Sequence, residues 1–75
     1  MPAPQHPSVT SLLRYFTYEH LPPRLRDVSR RFHSLAHALA DDEQLHGPEL
    51  AVALRKLLEA KDAAVRAALD PAGEE

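Results

Sequence analysis

The chain has 75 residues, a net charge of −2 and no cysteine. Its length supports one small domain with a modest core. Disulfides and thiolate metal sites are excluded, bulk attraction to nucleic acid is not indicated, and no apolar run approaches the roughly 20 residues that span a bilayer.

Met1–Pro7 (MPAPQHP) reads as disordered or extended, because proline cannot continue a helix. With its prolines and no apolar stretch, Met1–Thr10 does not read as a signal peptide. Ser8–Tyr18 suits one or two helical turns, with Ser8 or Ser11 as N-cap. Tyr15, Phe16 and Tyr18 then form an aromatic cluster, and His20-Leu21-Pro22-Pro23 imposes an extended link.

Proline favours the first helical position, so a long helix is expected from Pro22 or Pro23. Leu21, Leu25, Val28, Phe32, Leu35 and Leu39 recur at spacings of four and three, which predicts an amphipathic helix with a coiled-coil-like seam. It should fade near Asp41-Asp42-Glu43, where acidic side chains oppose the helix dipole. Gln44–Gly47 reads as a loop. Pro48 and Glu49 suit the start of a second helix reaching about Leu69, with Pro71 as its stop and 73–75 as a tail. The pairs Asp27–Arg31 and Asp62–Arg66 have the spacing that supports a helix modestly.

Two long helices and a short loop predict an antiparallel helical hairpin. The expected fold is therefore all-α: a short N-terminal helix or turn, then the hairpin. Segment boundaries are expected at 1–14, 15–70 and 71–75. Two helices cannot cover both apolar stripes, and small scaffolds without disulfides rely on other supports, so a homo-oligomer is expected. Charge favours contact between copies. Residues 1–31 carry a balance of +3 and residues 32–75 a balance of −5.

Lys61 interrupts this pattern. At about 100° per residue, Leu50, Leu54, Leu57, Leu58, Val65 and Ala68 share one face, with Lys61 near its centre. A lysine there must reach water, pair with an anion or lose its charge. Sequence leaves open a snorkelling lysine paired with a carboxylate and an anion contact formed when subunits meet.

Other constellations carry weaker signals. Arg26, Arg30, His33 and His37 form a row opposite the leucine stripe. It reads as a solvated face or as a ridge for phosphates. His33 and His37 have the spacing of two ligands on one metal, with Asp41 extending the row. No HExxH motif or cysteine completes a site, so no metal is expected. The aromatic cluster suits core packing, or stacking on a base beside guanidinium groups that hold phosphates. No Gly-rich phosphate loop or nucleophile–base pair is present, so catalysis is not expected, and no cofactor is implied.

The stretches YFTYEHLPPRLRDVS and LRKLLEAKDAAVRAAL resemble small bacteriophage helical-hairpin proteins, the sponges that counter the CBASS and Thoeris immune systems. The similarity covers about residues 15–69. It implies a homo-oligomer, often a hexamer, that sequesters cyclic nucleotide signals without cleaving them in the infected host's cytoplasm. The implied partner is a cyclic di- or trinucleotide held between protomers, with no membrane and no DNA or RNA polymer. By residue type and position, Tyr15, Phe16 and Tyr18 are the stacking candidates. Arg24, Arg26, Lys61 and Arg66 are the phosphate candidates. The alternative is a homo-oligomeric interaction module that blocks a host protein.

Overall fold

The computed structural model describes residues 6–69. The expectations for Met1–Gln5, Pro71 and the 73–75 tail lie outside them. Among the described residues every regular element is helical: α1 (Pro7–Leu13), a 3-10 turn (Arg14–Phe16), α2 (Pro23–Asp41) and α3 (Pro48–Leu69). Among the described residues no helix is long and apolar enough to cross a membrane.

Local chemistry places the ends of these helices. Pro7 is not extended; it opens α1, where a missing N–H costs nothing. The cap is His6 rather than Ser8 or Ser11: its Nδ1 accepts the Ser8 N–H at 3.1 Å. Helix α2 begins at Pro23 and ends at Asp41, as the prolines and the acidic run predict. Gly47 has a φ of 85°, a left-handed conformation that a side chain would strain. Its carbonyl accepts the Leu50 N–H at 3.1 Å and starts α3.

Helices α2 and α3 pack on one another, and α1 packs on both. The core gathers Val9 from α1, Phe16 from the turn, Ala36 and Ala40 from α2, and Leu50 and Leu54 from α3. Val9 brings the 1–14 segment into this core. The buried line of α2 is Ser29, Ala36 and Ala40, not the leucine stripe. At about 100° per residue the stripe is centred about 80° to one side of that line, and the Arg26–His37 row flanks the other side. Small side chains let neighbouring backbones approach closely, so they take the centre of the contact. Phe32 and Leu39 pack from the flank, while Leu35 stays 48% exposed.

Ser29 is fully buried, and its hydroxyl has no hydrogen-bond partner among the described residues. An unsatisfied buried polar group costs roughly 1–3 kcal/mol. Ser29→Ala removes the hydroxyl with almost no change in shape, and alanine is the better helix former. This variant should be more stable by about 1 kcal/mol, read as a higher urea midpoint. A lower midpoint would show that the hydroxyl is satisfied in solution.

Candidate functional site

The three aromatic candidates occupy different environments, although they lie within four residues of each other. Tyr15 is 63% exposed, Phe16 is fully buried, and Tyr18 is half-buried. Phe16 offers no face to a ligand; of the two readings of the cluster, core packing describes it. The turn explains the split, because successive residues of a tight helical turn point in different directions. Tyr15 therefore faces outward while Phe16 enters the core.

Among the described residues Lys61 reaches no carboxylate, and it is not left to water alone. Its ammonium donates to the Tyr15 carbonyl at 2.8 Å, across 46 residues of sequence. Helix ends leave carbonyls without intrahelical partners. The lysine stem lies along the α3 seam, and its charged end serves such a carbonyl on the Arg14–Phe16 turn. The lysine thus ties α3 to the aromatic turn. Lys61→Met keeps the stem and removes the donor. Because the side chain is half-buried, the expected loss is about 1 kcal/mol, below the range for fully buried charged hydrogen bonds. Urea unfolding checks it, and an unchanged midpoint would mean that water replaces the ammonium without loss.

Tyr18 and Arg26 meet at a concavity of about 270 Å³, lined also by Pro23, Asp27 and Arg30. Asp27 lies among cations and is shared by two of them: Arg30 at 3.0 Å and Arg31 at 3.1 Å. The Arg26 guanidinium has no such partner among the described residues. The first turn of α2 has neither a side-chain cap nor an acidic residue, and the nearest carboxylate on the helix, Asp27, is engaged by Arg30 and Arg31. Arg24 is exposed in the same turn. The concavity thus joins an aromatic ring, a free guanidinium and an uncapped helix start. Arg30 and Asp27 are lining residues that the aromatic and basic candidate set omits; the spacing of Arg30 from Arg26 is the sequence signal that places it there.

Arg66 is exposed in the last turn of α3, where a cation complements the dipole. It forms no ion pair with Asp62 among the described residues, as an exposed pair in water gains little. The candidates therefore fall into two groups, Tyr15 with Lys61 and Tyr18 with Arg26. Phe16 is in the core, and Arg24 and Arg66 are on the outer surface.

Beyond Tyr18 the row continues along α2. The Tyr18 ring meets His33 edge-on at 5.0 Å between centroids, and His33 lies 4.3 Å from His37. The Glu19 carboxyl is held below its usual pKa. The main cause is its own backbone N–H, which outweighs a small desolvation; the Tyr18 N–H and the charges of His33 and His20 add to it. Any stability from this lowering is present above the unfolded pKa and is lost as pH falls through the folded value.

No family model matches the chain, and no curated protein or solved structure is significantly similar to it.

Proposed function

We propose that this protein is a bacteriophage immune-evasion protein that binds cyclic oligonucleotide second messengers and withholds them from their receptors. It acts without cleaving them, in the cytoplasm of the infected bacterium. In this reading α2 and α3 form an antiparallel hairpin, and copies of the hairpin assemble into a homo-oligomer, with a hexamer as the expected form. The observation that carries the reading is the concavity where Tyr18 stands beside the unpaired Arg26. An aromatic face takes a base, and a free guanidinium takes a phosphate. The uncapped start of α2 favours the same anion. A concavity this open needs a second surface to exclude water, and another protomer would supply it. The half-exposed Leu35 and the exposed Tyr15 and Leu69 are apolar surface available for such contact.

The test is depletion of free ligand. Purified protein in excess is mixed with a panel of cyclic di- and trinucleotides, and free ligand is measured before and after proteolysis. Capture followed by intact recovery is the expected result. Tyr18→Ala and Arg26→Ala should each weaken capture at least about fivefold, the lower range for one stacked base or one charged contact. If no member of the panel is depleted, the proposal fails for those ligands. Sedimentation tests the assembly, and a stable monomer at high concentration would remove the second surface.

The exposed Tyr15, at 63%, and Leu69, at 60%, favour the second reading, a module that blocks a host protein. That reading requires a defined host protein to co-purify with wild type and to be lost with Tyr15→Ala, with no nucleotide absorbance in the purified sample.

A further inference from the structure

We infer that His33 and His37 form a two-imidazole site for a tetragonal divalent ion, Cu(II) or Ni(II), on the outer flank of α2. The two histidines are four residues apart on one helix, so their rings rise from the same face. Spacing alone permits chelation, and the two rings lie side by side. Their centroids are 4.3 Å apart and their planes are inclined by 43°. Two imidazoles on one metal, with about 2.0–2.1 Å to each nitrogen, hold their ring centres roughly 4.5 Å apart at a right angle and roughly 5.2 Å apart at a tetrahedral angle. The observed separation is close to the right-angle value. Tetragonal coordination by nitrogen and oxygen is the preference of Cu(II) and Ni(II) rather than zinc.

Three further observations support chelation. Neither ring has a hydrogen bond to another described residue, so the nitrogen lone pairs are not used within the protein. His33 is held on one side by the Tyr18 edge, which limits its rotation. Nearby cationic charge is offset in part, although Arg26 on the same row stays unpaired among the described residues. Arg30, one turn before His33, is drawn back to Asp27 at 3.0 Å, and the Glu19 carboxylate lies close enough for His33 to feel its charge. Among the described residues no third histidine or carboxylate joins the pair. The remaining coordination positions therefore belong to water, and the ion should exchange readily. The site is separate from the Tyr18–Arg26 concavity in its ligands and does not depend on nucleotide binding.

The experiment is calorimetric titration of the tag-free full chain with Cu(II), Ni(II) and Zn(II) near neutral pH. One ion per chain is expected, with affinity in the order Cu(II), Ni(II), Zn(II). His33→Gln and His37→Gln should each weaken Ni(II) binding at least tenfold, whereas replacing His6, His20 and His46 together by alanine should leave it unchanged. Electron spin resonance of the Cu(II) complex should show coupling to two imidazole nitrogens, reduced to one in either single variant. Circular dichroism verifies that each variant is helical. If a variant unfolds, the resonance spectrum of wild type still decides. Two coupled nitrogens, kept when His6, His20 and His46 are replaced, uphold the site. Unchanged binding in the folded single variants, or loss on replacing the other three histidines, overturns it.

Discussion

Phe16→Ala should lose about 3–5 kcal/mol of folding stability, the usual cost of deleting a buried phenyl ring. Phe16 is fully buried, and it is the residue of the Arg14–Phe16 turn that enters the core with Ala36, Leu50 and Leu54. Its removal leaves a cavity at the junction of all three helices. A small domain has at most the lower part of the usual 5–15 kcal/mol, so much of the population should unfold. Far-UV circular dichroism against urea reads the effect. Phe16→Leu keeps most of the apolar volume and should lose much less. Tyr15→Ala, at a site 63% exposed, should stay within about 0.5 kcal/mol of wild type. The contrast separates two roles for adjacent rings. If Phe16→Ala unfolds like wild type, the ring is not core, and stacking again becomes its assignment.

The outcome also marks how far this chain can be read from its residues. Helix ends were legible because they are local chemistry. The start of α2 at Pro23, its end at Asp41 and the start of α3 at Pro48 follow from prolines, acidic residues and Gly47. The face of α2 that enters the core was not legible. Ser29, Ala36 and Ala40 carry little hydrophobic signal, and only the approach of α3 makes small side chains the right ones. A leucine stripe instead announces apolar surface, part of which stays open at Leu35. Val9 was hidden for a related reason: a short helical turn at Ser8–Tyr18 is legible, but one apolar side chain in it gives no sign that it anchors α1 in the core.

The candidate site divides in the same way. The residue types were visible, but which ring would stand with which cation was not; Tyr18 and Arg26 line one concavity. Which of three neighbouring aromatics faces outward depends on one tight turn, and that turn is held by a lysine far along the chain. The anomaly of Lys61 was legible, but its partner was not. A backbone carbonyl carries no residue signature, so neither a carboxylate nor a phosphate could be preferred against it.

Leu54→Ala is the second large effect, with an expected loss of about 2–5 kcal/mol. Leu54 has 0% accessible surface and lies in the cluster with Phe16, Ala36 and Leu50. Its neighbours on α3 limit collapse into the space left behind, because Leu50 and Ala51 are themselves at 9% exposure. The loss should therefore fall in the upper part of that range. Leu69→Ala removes the same atoms from a side chain 60% exposed, so it should change monomer stability little. The Phe16→Ala and Leu54→Ala losses should not add. Both variants empty one shared cluster, and the second deletion acts on a core already loosened by the first. Urea unfolding of the four-way cycle measures the coupling. Simple additivity would divide the core into two independent contacts, with α1 and its turn packed separately from α2 and α3. A loss below 1 kcal/mol for Leu54→Ala would show that α3 is not buried at this point, and the register that sets Lys61 against the Tyr15 carbonyl would fall with it.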